Sequence, residues 1–191
     1  MRENLSQTDA SWLLRLHQGE HDALALLMGK YYTVLYNYAI SFSKDQGLVK
    51  DCIQEVFIDL WQRRDHARSI LSPKYYLLRA VKNKVLKSIG KQSLYADNSL
   101  LDNECDLYYE FSIEGIMMEK QLSEEKTARL KKLISGLSKR QQEIVHLKYY
   151  QHLDHDQIAQ LMNITAQSVY NLLHETIQRL KSLWRLELIS G

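Results

Sequence analysis

The apolar residues of this chain fall into stripes at helical spacing. Leu24, Leu27, Tyr31, Val34, Leu35 and Tyr38 recur every three or four residues and predict the core face of a long helix from about Glu20 to Ser43. A shorter helix from Asp9 to Gln18 precedes it, with Gly19 between the two. In a third helix, from about Leu48 to Arg64, the residues Ile53, Val56, Phe57 and Leu60 lie within one arc and form its core stripe. Ser72-Pro73 starts a fourth helix, since serine caps free backbone N–H groups and proline has none to leave unpaired. Its core face is Leu77, Leu78, Val81, Val85 and Ile89.

The pattern resumes with a helix from about Ile116 to Ile134 that ends at Gly136. Ser138 and Gln141 have capping-box spacing, and Ile144, Val145, Leu147 and Tyr149 supply the apolar positions that follow. Asp154 caps a short helix with Ile158, Ala159 and Leu161, Asn163 suits a left-handed turn, and Thr165 caps the last helix. In that helix Val169, Leu173, Ile177, Leu180 and Trp184 share one arc. A small residue where two helices cross, an asparagine at the turn, and Ile164 and Val169 closing the core together predict a helix-turn-helix. The stretch from Ser93 lacks sustained periodicity. The reading is therefore an all-α chain of two small domains, residues 1–92 and 116–191, joined by a linker at 93–115.

Composition agrees with helices. One proline and 7 glycines in 191 residues leave little of the turn chemistry that sandwiches and barrels need, and no glycine-rich loop to cradle a phosphate. No apolar run approaches a membrane span, the first residues lack a secretory signal layout, and two cysteines, Cys52 and Cys105, make neither a disulfide framework nor a zinc site. A cytoplasmic, soluble protein without direct membrane insertion is expected. Charge adds more. The net +2 conceals blocks of −3 over residues 1–61, +8 over 62–92, −8 over 93–125 and +5 over 126–191, so the linker is acidic and two basic surfaces flank it. The acidic stretch reads either as a solvated tether or as a segment that docks on a basic face.

Three exposed faces carry candidate chemistry. On the third helix, Asp51, Gln54, Ile58 and Trp61 form a second stripe about 130° from the core stripe, mixing polar groups with two apolar ones. Either Ile58 and Trp61 widen the core, or the stripe meets a protein partner. On the fourth helix, Tyr76, Arg79 and Asn83 share one arc with Lys87, and Tyr75 and Lys82 lie alongside. Rings stack on unpaired bases while cations track phosphates, so this face, with the preceding loop from Gln62 to Leu71, suits single-stranded nucleic acid. On the last helix, Gln167, Asn171, His174 and Gln178, with Tyr170 beside them, form the polar face. Amide side chains match adenine in the major groove, and this helix follows the turn as a reader would. Asp51, Glu55 and Asp59, or His146, His152 and His155, lack the spacing of a metal site, so neither a metal, a cofactor nor catalysis is expected.

These residues resemble the extracytoplasmic-function sigma factors, compact two-domain members of the bacterial primary-sigma superfamily. Gly19-Glu20-His21-Asp22-Ala23-Leu24 with Tyr31-Tyr32 is similar to the family's opening region. The run Asp51-Cys52-Ile53-Gln54-Glu55-Val56-Phe57-Ile58-Asp59-Leu60-Trp61 resembles its polymerase-binding helix, Tyr76 to Asn83 its promoter-melting helix, and Leu137 to Leu180 its final region. The resemblance implies a specificity subunit of RNA polymerase that binds core enzyme through Asp51, Gln54, Glu55, Ile58 and Trp61. It implies promoter DNA as the second partner, a monomer when free, and the possible control by a membrane-bound anti-sigma factor that is common in the subgroup. Tyr170, Leu172 and Glu175 stand where many relatives carry basic residues. The alternative from another class is a stand-alone helix-turn-helix regulator whose first domain binds a ligand or dimerises.

Overall fold

The computed structural model describes residues 7–95 and 124–189, and the chain divides into two compact units, Met1–Tyr108 and Tyr109–Gly191. Every regular element among the described residues is helical. The first unit holds α1 (Gln7–His17), α2 (His21–Ala39), α3 (Gln46–Gln62), a 3₁₀ helix (Arg64–Ser69) and α4 (Pro73–Tyr95). The second holds α5 (Glu124–Ser135), α6 (Lys139–Val145), a π turn (His146–Tyr150), α7 (His155–Met162) and α8 (Ala166–Ile189). The expected linker at 93–115 lies outside the described residues beyond Tyr95, as does the start of the helix expected from Ile116.

In the first unit the core stripes fall where the periodicity puts them. Leu27, Tyr31, Leu35 and Tyr38 of α2, Ile53, Val56, Phe57 and Leu60 of α3, and Leu77, Leu78, Val81 and Val85 of α4 are all buried, while Leu24, Val34 and Ile89 are half-buried. Helix α2 stops at Ala39, short of the expected Ser43. The chain then turns tightly enough for Phe42 to set its ring edge-on to Tyr38, with centroids 5.0 Å apart. Gly19, at φ +85°, makes the turn between α1 and α2, a conformation that a side chain would strain.

Asp9 ties α1 to α2. It is buried at 6 % exposure, Lys30 Nζ donates to it at 2.6 Å and the Tyr31 hydroxyl donates at 2.9 Å. A carboxylate so far from water needs such charge-assisted donors, each contributing roughly 1.5–3 kcal/mol. Residues 64–69, read from sequence as a loop, wind into the 3₁₀ helix, bury Ala67 completely and pack against α1.

The second unit is assembled on caps. Ser138 and Gln141 form a reciprocal capping box at the start of α6, and Asp154 and Gln157 form another at the start of α7. Gln142 is buried, and its amide donates to the carbonyls of Ser135 and Leu137 at 3.3 and 2.9 Å, satisfying backbone acceptors where α5 ends. Asn163 closes α7 at φ 53°, and Thr165 Oγ1 accepts from the Ser168 amide at 3.1 Å to open α8. The sequence pattern placed Tyr149 among the apolar positions, but it is 49 % exposed. The π turn supplies the reason: its wider winding changes the phase of the helix, turning His146 and Leu147 inward and Tyr149 out.

Burial holds the His146 imidazole well below its ordinary range, at about 4, and pushes the Tyr150 hydroxyl up to about 12. The Gln151 amide lies 3.1 Å from His146 Nε2, which accepts from it when the ring is neutral. An unfolded chain would protonate this histidine near 6.5, so the neutral burial stabilises the fold fully above that pH and is lost as pH falls toward 4. The ring protons of His146, followed by NMR in the intact chain, should keep a constant shift down to about pH 5 and move only near pH 4. Titration near 6.5 would mean that the ring is solvated.

Candidate partner and nucleic-acid interfaces

Helix α3 is capped by Asp45, whose carboxylate accepts from the Leu48 amide at 3.0 Å. Its buried stripe leaves Asp51, Gln54 and Glu55 exposed, and Ile58 stands among them at 53 % exposure. The alternative in which Ile58 widens the core is thereby excluded for that residue. Trp61 is different. Its ring stacks on His21 with centroids 4.1 Å apart at 27°, and the Arg64 guanidinium lies 4.9 Å from the ring centroid. Arg64 also donates to the Trp61 carbonyl at 3.2 Å. The tryptophan is therefore half-buried and held by two neighbours at the edge of the exposed stripe.

His21 brings the start of α2 to this edge, which the sequence reading missed because the two residues lie 40 positions apart. On the opposite flank, Glu55 and Asp59 accept from Lys84 Nζ of α4 at 2.7 and 3.0 Å. Glu55 is thus part of the α3 surface and also of its contact with α4.

The Ser72 hydroxyl accepts from the Tyr75 amide at 3.4 Å and Pro73 is buried at the first helical position, as the start signal predicts. Arg79 and Asn83 are exposed, whereas Tyr75, Tyr76 and Lys82 are half-buried. Arg79 Nη1 donates to the Tyr75 hydroxyl at 3.3 Å, and Lys82 Nζ lies 5.1 Å from the Phe42 ring centroid. All five residues share the outward side of α4, with the cations drawn toward rings. Leu71, at the end of the segment expected to join this face, is 78 % exposed, and Leu86, which the sequence reading did not assign to the face, adds apolar surface at 40 % exposure. Leu86 lies outside the α4 core stripe, and that exclusion is the only signal the sequence carries for it.

On α8, Gln167, Tyr170, Asn171, His174 and Gln178 are all exposed on one face, opposite the buried Val169 and Leu173. Gln167 donates to Asn171 at 3.0 Å, which holds two amides side by side and leaves their remaining groups outward. Tyr170 is 59 % exposed. Asn163 and the α7 cap fix the angle at which this face is presented. Cys52 is buried, and burial pushes its thiol up, so its sulfur is part of the core. Among the described residues no group of side chains has the makings of a metal site, and no helix is long and apolar enough to cross a membrane.

A four-helix unit with a basic, aromatic helix and a second unit built as a helix-turn-helix define a helical DNA-binding protein in two parts. Residues 27–94 match the family model described as sigma-70 region 2, and residues 127–180 match sigma-70 region 4. The chain is 23 % identical over 183 residues to the ECF RNA polymerase sigma factor SigK of Mycobacterium ulcerans, covering 91 % of this chain and 92 % of that one. It is 22 % identical to the ECF RNA polymerase sigma factor SigM of Bacillus subtilis, covering 81 % and 90 %. In fold it is similar to CnrH, solved with the cytosolic domain of CnrY, at TM-score 0.53, 16 % identity and coverage of 94 % and 99 %. The sigma factor RpoE, solved with the anti-sigma factor NepR from Bartonella quintana, gives TM-score 0.52, 16 % identity and coverage of 86 % and 95 %. The chain belongs to the sigma-70 family, and within it to the extracytoplasmic-function RNA polymerase sigma factors, which direct transcription initiation.

The contrast between the two isoleucines of α3 is open to test. Ile53→Ala should destabilise the chain by about 2–5 kcal/mol, as buried aliphatic truncations do, whereas Ile58→Ala should stay within about 0.5 kcal/mol. Denaturant titration checks both, and an equal loss would place Ile58 in the core.

Proposed function

We propose that the first domain, residues 1–92, docks on core RNA polymerase through Asp51, Gln54, Glu55, Ile58 and Trp61, with His21 completing that edge. Tyr75, Tyr76, Arg79, Lys82 and Asn83, with the segment 62–71, hold the non-template strand of the opened promoter. The second domain, residues 116–191, reads duplex DNA upstream through Gln167, Tyr170, Asn171, His174 and Gln178, and the acidic segment 93–115 joins the two. The protein acts by binding, without catalysing a reaction of its own, in the cytoplasm and as a monomer when free. That one solved relative is held by an anti-sigma factor supports a protein antagonist for this chain as well.

The observation that carries this reading is that the two family matches fall on units whose outward faces differ in chemistry. The α3 face is acidic with one exposed aliphatic, the α4 face is aromatic and cationic, and the α8 face is rich in amides. An acidic face with an aliphatic centre suits a basic protein surface, rings beside cations suit unpaired bases, and paired amides suit base edges. With few cations on its outward face, α8 should bind duplex weakly by itself and usefully once polymerase tethers it near its site.

Stacking contributes about 1–3 kcal/mol per base, so Tyr76→Ala should impair strand opening more than closed-complex binding. A permanganate footprint of the holoenzyme on a promoter checks this, and equal loss of both steps would make Tyr76 structural only. In the same holoenzyme Asn171→Ala should cost about 1–3 kcal/mol at a single base pair of the upstream element. Promoter selection identical to wild type would remove α8 as the reader.

A further inference from the structure

Lys84 lies in the basic block of the sequence, yet its charge is directed away from the nucleic-acid face. Its ammonium bridges Glu55 and Asp59, carboxylates one turn apart on α3, at 2.7 and 3.0 Å. Its side chain is 25 % exposed, against 62 % for Glu55 and 44 % for Asp59, so the two acids lie where a docking surface can reach them and compete with the lysine. The same two carboxylates flank the exposed stripe of α3 that carries Asp51, Gln54 and Ile58. Both contacts favour the protonated ammonium, the hydrogen bond to Glu55 foremost.

We infer that Lys84 is an internal competitor for the polymerase: it occupies Glu55 and Asp59 in the free chain and must yield them when a basic surface of the core enzyme docks on α3. This rests on the reading of α3 as the polymerase-facing helix. An incoming guanidinium or ammonium meets carboxylates that already have a partner, so the docking energy is reduced by what the internal pair contributes. The clasp is local, since α3 and α4 also pack through their buried stripes, and losing its two partly exposed ion pairs leaves that core intact. Lys84 is thus a positioning residue that sets affinity for the core enzyme without touching it, and it keeps the acidic face from engaging other cationic surfaces.

The test measures the affinity of purified core polymerase for the full chain, labelled outside both domain cores. Lys84→Met, which keeps the stem and removes the charge, should tighten binding by about two- to five-fold, as the release of two weak, partly exposed ion pairs allows. Lys84→Gln should act in the same direction, and Lys84→Arg should restore the wild-type value. The gain should vanish when Glu55→Gln and Asp59→Asn are already present, which a merely structural lysine would not produce. Ile58→Ala serves as the control for the underlying reading. If Ile58→Ala weakens binding while Lys84→Met and Lys84→Gln leave it unchanged or weaker, the competition is overturned. If Ile58→Ala leaves binding unchanged, α3 is not the docking helix and both readings fail together.

Discussion

Each helix that carries an exposed candidate face must bury one stripe in a small core and leave another free. Helices α3 and α4 meet this constraint jointly, because they share one core and their outer faces point to different chemistry. The apolar surface that α3 buries sits at Val49, Cys52, Ile53, Val56, Phe57 and Leu60, and Ile58 stands outside it at 53 % exposure. An exposed aliphatic among carboxylates gains nothing from water, and it gains roughly 1.5–3 kcal/mol only when a partner buries it fully. Trp61, already held by His21 and Arg64, would lose little further freedom if a partner covered it.

The same economy recurs in the second unit at a smaller scale. Two capping boxes, a left-handed asparagine and a buried glutamine that satisfies two carbonyls supplement the apolar core of its described residues. Caps of this kind contribute about 1 kcal/mol each, enough to fix short helices whose intrinsic stability is marginal. The neutral, buried His146 completes that core at the cost of acid sensitivity.

Features governed by neighbours a few residues apart were legible in the sequence: the core stripes, the caps at Ser72, Ser138, Asp154 and Thr165, and the turn at Asn163. The exposed faces of α3, α4 and α8 follow from those stripes by subtraction. What escaped depends on distant approach or on a change of helical winding. His21 reaches Trp61, Lys84 reaches Glu55, and Asp9 reaches Lys30 only once the helices have packed. The π turn shifts the phase that a uniform period assumes, so Tyr149 was placed on the wrong side. The 3₁₀ helix at 64–69 is held by contact with α1 and has no periodic signature of its own.

If the chain acts as proposed, sequence selection is a property of the chain and the polymerase together. Purified core enzyme should therefore be assayed for transcription on genomic fragments with and without this chain, alongside binding of the chain alone to the same duplexes. Start sites that appear only when the chain is added, with weak duplex binding by the chain alone, are the expected result. Tight, site-specific duplex binding by the chain alone, at about 10⁻⁸ M or better, with no new start sites from core enzyme, would contradict it.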